Sequence, residues 1–372
     1  MTSSHNTTCD VAVIGAGIAG LTCAEQLRQA GLRVVVIEKS RGFGGRAATK
    51  RLPDFRADHG LRYLERSGQL LPVFVDALRD RGVLVPWDAR FRRVAADGSE
   101  TDEAATTRYI APNGANAIGK FLAQNLEVWR SRRAISLQPD GDRWKLQLEA
   151  VADGVDAPLS LTARCVVAAI PAPQAADLIA DTPIAPDVKA AIAAVSYHPS
   201  ISVMAGFPAE LADADRTWDS LQFETGDLFW AGVESSKRSP EKERLVLTLH
   251  AAPEFAAEHL DAPDLDAVGR ALLDRLAPHL SALRDRVPDF LVVHRWRYAF
   301  IDRPYPNDCI SVCEPLPLVF GGDWCGTEQV ETALRSGLAI AAEAARSLDM
   351  QALPTFPEIA WNLQKDSEIG LS

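Results

Sequence analysis

A Gly15-x-Gly17-x-x-Gly20 turn, set between an apolar run and a helically spaced segment, constrains this chain more than any other feature. Val11-Ala12-Val13-Ile14 precedes the turn and Leu21 to Leu27 follow it. Val34-Val35-Val36-Ile37 then ends in Glu38. The order predicts strand, turn, helix and parallel strand, the opening unit of a dinucleotide-binding α/β sheet. Gly15 permits the tight turn, Gly17 lets a pyrophosphate approach the backbone, and Gly20 lets helix and strand pack closely. A pyrophosphate beside Ala16, Ile18 and Ala19 would meet the free amides and positive dipole end of the helix. Glu38 can accept from both hydroxyls of an adenosine ribose and would repel a ribose 2′-phosphate. The expected ligand is FAD or NAD rather than NADP.

The chain has 372 residues, enough for a large domain plus a smaller one. Its net charge of -11 argues against a nucleic acid as the main partner. Arg90-x-Arg92-Arg93 and Arg130-x-Arg132-Arg133 read as solvated strand ends. The six cysteines form no C-x-x-C pair and no zinc spacing, which argues against a disulfide reductase and against a metal site. Polar residues lead directly into the first strand, and no apolar run approaches membrane-spanning length. These features point to a cytoplasmic protein, monomeric or weakly dimeric, with no membrane partner.

Two features separate FAD from NAD. Directly after Glu38 comes a glycine-dense basic loop, Lys39-Ser40-Arg41-Gly42-Phe43-Gly44-Gly45-Arg46. Gly44 and Gly45 remove bulk, while Lys39, Arg41 and Arg46 can reach phosphate or ribose oxygens. Near the other end, Leu318-Val319-Phe320-Gly321-Gly322-Asp323 reads as a buried strand ending in an acid, with a helix from Val330 to Ala345. Such an acid can bind a ribityl hydroxyl, and the helix start can stabilise negative charge on a reduced flavin. One extended ligand touching both ends of the chain is FAD, expected to be noncovalent.

Along nearly its whole length the chain resembles renalase, within the amine-oxidase-like flavoproteins. The matching residues are Ile14 to Leu21, Lys39-Ser40-Arg41-Gly42-x-Gly44-Gly45-Arg46, Asp58-x-Gly60-x-x-Tyr63, Pro171-Ala172-Pro173-Gln174-Ala175, Leu249-His250-Ala251, His294-Arg295-Trp296-x-Tyr298-Ala299 and Gly322-Asp323-Trp324-Cys325. The resemblance implies a two-domain α/β flavoprotein of the p-hydroxybenzoate hydroxylase/amine oxidase type. It has a Rossmann-like FAD domain and a smaller domain with a mixed or antiparallel sheet. It further implies that His59, Gly60 and Leu61 lie near the flavin, that backbone near Ala134 meets adenine, and that Ala169, Pro171, Val330 and Glu331 border the cofactor.

The expected FAD domain is 1–70, 103–185 and 290–350, with 71–102 and 186–289 as the substrate domain and 351–372 as a C-terminal arm holding Trp361. Val128–Leu137, Trp144–Glu149 and Leu159–Arg164 alternate like a strand meander with Gly141 and Gly154 in its turns. Val166–Pro171 reads as a separate buried strand, and Ser200–Phe207, Leu228–Glu234 and Leu245–Ala251 as strands of a second sheet. Leu265–Ala277 reads as an amphipathic helix, and Phe290–Arg297 as a strand returning to the FAD domain. No second G-x-G-x-x-G appears, so a nicotinamide substrate would stack directly at the flavin between the domains.

The flavin would carry the redox chemistry. No base with supporting partners is evident, which favours a donor that loses hydride without a proton acceptor, such as a dihydropyridine. His250 shares a strand face with Thr248, opposite the leucines; it either lines the cavity or is hydrogen-bonded within the sheet. Trp230 and Trp296 are either cavity walls or core. By resemblance, the reaction is oxidation of reduced nicotinamide dinucleotides, passing hydride to flavin N5 and then electrons to O2, giving H2O2 and NAD(P)+. The family commonly has Gly-Ala-Gln-Tyr where this chain has Gly60-Leu61-Arg62-Tyr63, and small and tryptophan residues where it has Thr332 and Leu334. Arg62 adds a cation that favours an anionic substrate, a phosphate or a polarised oxyanion. Competing readings are an NAD(P)H:quinone or other acceptor reductase, an amine-oxidase-like enzyme, and a noncatalytic escort or carrier protein on the same fold.

Overall fold

The glycine turn opens the fold as its flanking pattern predicts. The computed structural model describes residues 7–52, 55–152, 159–211, 216–238, 244–350 and 352–356. Thr7–Ile14 (β1) runs parallel to Val34–Ile37 (β2), with Ile18–Gln29 (α1) crossing between them. Ser160–Ala168 lies parallel on the other side of β1, and Glu127–Trp129 extends the sheet beyond β2. The strands expected at 159–164 and 166–171 are one strand. Its first half pairs with the meander strand Arg143–Ala150 and its second half with Leu318–Phe320, so pairing is unbroken through Cys165.

Alternate residues of these strands feed two cores. Val11, Val13, Val34, Val36 and Val167 pack with Leu21 and Leu27 of α1 and with Leu334 and Ile340 of the last helix, Val330–Ser347. Ala12, Ile14, Val35, Ile37, Val166 and Ala168 face the meander residues Leu137, Trp144 and Leu146. A sheet covered on both faces explains why its strands read as unbroken apolar runs.

The second sheet runs in the order Phe290–Arg303, Ser196–Phe207, Leu245–Ala251, Leu228–Val233, Ser220–Phe223, Phe91–Val94 and Glu100–Asp102. Leu245, Leu247 and Leu249 point to a core shared with Val268, Leu272 and Leu276 of the helix Leu265–Leu276. The opposite face turns toward the hairpin Thr49–Leu52 (β3) and Phe55–Asp58 (β4), where Phe55 and Ala57 pack on Met204 and Val246.

Two domain boundaries differ from the sequence reading. Phe290–Arg303 belongs to the second sheet, because it pairs with Ser196–Phe207 along nearly its whole length. Leu71–Asp80 (α2), for which the sequence reading had no element, belongs to the first domain: Leu71, Phe74, Val75 and Leu78 are buried in the core around α1. Only the 91–102 hairpin of the expected 71–102 segment joins the second sheet.

The basic clusters are ion-paired strand ends: Arg90 with Asp219, Arg92 with Glu100, and Arg133 with Glu149. All six cysteines are free. Phe356 lies against Phe74, and the Pro354 carbonyl accepts from Gln26, so the described start of the C-terminal arm rests on the body. Trp361 and Gly154 lie outside the described residues. Among those residues, no helix is long and apolar enough to cross a membrane.

Candidate functional site

At the glycine turn, three positions do three different jobs. Gly15 has φ +106°, and a Cβ there would lie 2.5 Å from the Ala169 carbonyl oxygen. A Cβ on Gly20 would lie 2.1 Å from the Gly15 carbonyl oxygen and 3.2 Å from Ala169 Cβ. Ala169 is therefore the surface against which the turn packs. Gly17 is different: a Cβ there would meet nothing within 4 Å. No side chain caps α1 and its first turn holds no acid, so its positive end is left to a ligand. This open approach beside Ala16, Ile18 and Ala19 fits a pyrophosphate.

Glu38 is buried at the end of β2, accepting from the Ala16 amide at 2.8 Å and the Ser40 amide at 2.7 Å. The basic loop folds directly over the turn. Gly44 N–H donates to the Ala16 carbonyl at 2.8 Å, and a Cβ on Gly45 would come within 3.2 Å of Gly17 Cα. Lys39 and Arg41 are exposed beside it, Lys39 reaching Gln174. The strand carrying Ala134, Arg132–Asp140, starts alongside, since Arg132 N–H donates to the Glu38 carbonyl. The glycine turn, Glu38 and the start of the strand that carries Ala134 thus lie together. Pro171 begins the helix Ala172–Leu178 just beyond Ala169.

Arg46 leaves the surface and meets the other end of the chain. Its guanidinium bonds Asp323 at 2.6 Å and the Tyr298 carbonyl at 3.1 Å. Burial works against its charge, but Asp323 outweighs that and holds the guanidinium above its usual range. The two residues expected at phosphate and ribityl chain are therefore partners. Gly322 has φ +149°, and its amide donates to Ser336. Val330 begins the last helix.

Glu331, expected to border the cofactor, turns its side chain to α2. Its buried carboxylate accepts from the amides of Gln69, Leu70 and Leu71, at 2.7 to 3.2 Å. The side chain caps α2, whose own N-cap position, Leu70, supplies no side-chain bond. The three amides at the start of α2 are the local concentration of donors, and they saturate the carboxylate.

The 58–63 segment follows β4 and lies against Arg46: Leu61 N–H donates to the Arg46 carbonyl at 2.9 Å, and a Cβ on Gly60 would clash with that oxygen at 1.9 Å. Facing it, the second sheet presents one cross-strand row. Gln222, Trp230, His250, Ser202 and His294 are direct partners on five neighbouring strands. Trp296 joins this face and donates to the His59 carbonyl at 2.7 Å, as does the Ser202 hydroxyl. The His59 ring packs between His294, 4.8 Å away edge-on, and Trp296, 5.4 Å away and stacked. Ser202 and Gln222 were not singled out from the sequence, and His294 entered only within the His294-Arg295-Trp296 run that carries the family resemblance. The i, i+2 spacing of His294 and Trp296 was the available signal, but strand register alone reveals the row.

The three histidines are held neutral. Burial, then His294, pushes His59 down to about 4. Burial, then Arg62, drives His250 well below its ordinary value, and burial lowers His294. His250 packs 5.3 Å from Trp230, and its buried Nε2 has no hydrogen-bond partner among the described residues. Trp230 is fully buried with its indole N–H on Ser220, so it is both core and part of this face.

Arg62 stands opposite. It donates to Gln222 at 2.8 Å and lies 5.4, 5.0 and 5.7 Å from the rings of Tyr63, Phe229 and Trp230. Beneath it is a buried ionic quartet. Arg238 bonds Asp58 at 2.6 Å and Glu234 at 2.8 Å, while Lys237 bonds Glu234 at 2.7 Å and the Arg62 carbonyl at 3.0 Å. Burial opposes the Asp58 charge, yet Arg238 and Lys237 outweigh it and lower its pKa. The quartet ties β4 to the second sheet and fixes the 58–63 segment.

Comparison with known proteins agrees with this layout. Residues 13–78 match a model of the NAD(P)-binding Rossmann-like domain, and residues 94–345 match that of flavin containing amine oxidoreductases. Phytoene dehydrogenase of Streptomyces griseus is 32% identical over 128 residues, 33% of this chain and 25% of that one. Amine oxidase [flavin-containing] B of Cavia porcellus is 40% identical over 63 residues, 17% of this chain and 11% of that one. The matched segment thus spans a quarter or less of these curated relatives. Among solved structures, a putrescine oxidase double mutant superposes with a TM-score of 0.69 at 14% identity, covering 92% of this chain and all of that one. Cyclohexylamine oxidase from Brevibacterium oxydans IH-35A superposes at 0.70 and 15% identity, covering 92% and 99%. These structures share the fold, and because the amine oxidoreductase model spans more than half of the sequence, the chain belongs to the flavin containing amine oxidoreductase family.

Proposed function

We propose that this protein binds FAD noncovalently and oxidises reduced nicotinamide dinucleotides. The residues fit the cofactor: Gly17 opens onto free space at an uncapped helix start, the Glu38 carboxylate ends β2 beside the glycine turn, and Asp323 approaches from the opposite end of the chain. When bound, FAD supplies a hydride acceptor at N5 that passes electrons to O2, giving H2O2 and NAD(P)+.

The carrying observation is the charge on the interdomain face. Arg62 has no carboxylate within ion-pair distance among the described residues, whereas the charges of Lys237 and Arg238 beneath it are matched by Asp58 and Glu234. An alkylamine is an ammonium ion at neutral pH and would be repelled there, whereas a dinucleotide is anionic and its ring is planar. His59, His250 and His294 are poor proton acceptors because burial keeps them neutral, and Lys237 is tied to Glu234. A dihydropyridine needs no acceptor, since aromatisation drives hydride loss. Trp296 and Phe229, both half-buried, offer ring faces for stacking.

Amine oxidation is the second reading, favoured by the family match. Anaerobic mixing decides between them. Bleaching of the flavin by one of the 2-, 4- or 6-dihydronicotinamide dinucleotides supports the proposal. Bleaching by cyclohexylamine or putrescine alone replaces it, faster turnover with quinone than with O2 favours an acceptor reductase, and a colourless protein that takes up no FAD favours a carrier.

A further inference from the structure

Tyr197 belongs to the second sheet, where it pairs with Ile301, yet its half-buried ring packs on the core of the first domain. The phenol oxygen accepts from the Ala172 amide at 3.0 Å, where the chain leaves Ala169 for the helix Ala172–Leu178. Two residues earlier on the same turn, the Ile170 carbonyl accepts from the indole of Trp324 at 3.1 Å, and Trp324 follows Asp323. On its other side the Tyr197 ring meets Tyr298 edge-on at 5.3 Å, and the Tyr298 carbonyl accepts from Arg46, which bonds Asp323. Two independent routes through the packing therefore bring the phenol to the Arg46–Asp323 pair. The charges agree: burial first, then Asp323, pushes the phenol above its ordinary range, while the Ala172 amide and Arg46 act the other way. Both groups keep bonding capacity. A phenol oxygen that accepts from an amide aims its own proton elsewhere, and that O–H has no acceptor among the described residues. Asp323 bonds Arg46 through Oδ1, and its Oδ2 has no hydrogen-bond partner among them.

We infer that Tyr197 is the second domain's own contact with the cofactor, its O–H donating to a ribityl hydroxyl that itself donates to Asp323. This rests on the FAD part of the proposed function and not on the substrate oxidised. A sugar hydroxyl suits a place between a donor and an anion because it donates and accepts at once. A phosphate oxygen could take the phenol proton, but the Asp323 carboxylate would repel it. The bonds then run in one direction, from the Ala172 amide through Tyr197 and the hydroxyl to Asp323, each polarising the next, with Arg46 holding the far end. Tyr197 opens the strand Ser196–Phe207, which carries Ser202 of the cross-strand row, so the same bond sets that row against the cofactor.

The test uses purified holoprotein and binding alone. FAD analogues lacking the 2′-, 3′- or 4′-hydroxyl of the ribityl chain are added to displace bound FAD, and flavin fluorescence gives the affinity of each. One of the three should bind wild type about tenfold or more weakly than FAD does. Y197F keeps the ring against Tyr298 and removes only the hydroxyl. It should bind FAD about fivefold more weakly, and the penalty for that one analogue should shrink about fivefold. ADP has no ribityl chain, so its affinity should agree between the two proteins within about twofold. D323N, tested separately, should shrink the penalty for the same analogue. Unchanged FAD affinity in Y197F, or one common loss across FAD, the three analogues and ADP, overturns the contact; the second outcome would mean that the hydroxyl serves Ala172 alone. A different analogue singled out by D323N overturns the shared hydroxyl. The expected pattern in a protein whose flavin no dihydropyridine reduces supports Tyr197 and removes the proposed reaction. Failure to take up FAD removes both.

Discussion

Arg46 and Asp323 are separated by 277 residues of sequence and 2.6 Å of space. This contact joins the loop that covers the glycine turn to the acid at the end of the last parallel strand. Each charge is the other's main compensation, with part of Arg46 still open to solvent. D323N should cost about 1–3 kcal/mol in urea unfolding, the range for a charge-assisted bond partly screened by water. It should also reduce flavin retained through gel filtration. D323N at wild-type stability with full flavin content would mean that the pair holds nothing together.

Gly17 and Gly20 should separate folding from ligand binding. Gly17 has φ -77° and ψ 177°, extended backbone that any residue adopts, and open space where its Cβ would go. G17A should therefore fold within about 1 kcal/mol of wild type while obstructing the pyrophosphate. G20A pushes a methyl into the Gly15 carbonyl and should destabilise by about 1–3 kcal/mol or more. Thermal melts and flavin absorbance measured on both variants check this. Equal stability losses would refute the division of roles.

Glu331 should matter to stability through its side chain. Removing a carboxylate that satisfies three amides strips the cap from α2, so E331A should cost about 2–3 kcal/mol. Refolded or ligand-saturated E331A should show an unchanged flavin spectrum, because the side chain faces α2. A shifted flavin band with intact stability would return Glu331 to the cofactor.

How much was legible depends on whether a residue's job is set locally. The strand–turn–helix unit, Glu38 and the alternation of His250 and Thr248 against Leu245, Leu247 and Leu249 follow from periodicities of a few residues, and the structure places them accordingly. The capping of α2 by Glu331 was not legible, because an acid in the first turn of a helix looks the same whether it serves a ligand or a neighbouring helix start. The Gln222-to-His294 row was invisible because it is written across five strands whose register no local pattern fixes. The 290 boundary failed similarly: a strand's length is legible, but its choice of sheet depends on pairing with Ser196–Phe207.

His59 links the same face to pH. It is enclosed by His294 and Trp296 on the strand Phe290–Arg303, with Asp58 beside it and Lys50 on β3. An unfolded chain takes up the imidazole proton near 6.5, the folded chain only near about 4. Between those values the unfolded state binds more protons, so this group's contribution is fully present above about 6.5 and is lost as pH falls toward 4. The loss is at most about 3 kcal/mol. His250 and His294 are shifted in the same direction and steepen the decline. H59N keeps the backbone carbonyl that accepts from Ser202 and Trp296 but removes the titrating ring. Urea unfolding from pH 7.5 down to 4.5 should therefore show a shallower fall for H59N than for wild type. Parallel pH profiles would mean that the His59 ring takes up its proton in the folded protein as readily as in the unfolded chain.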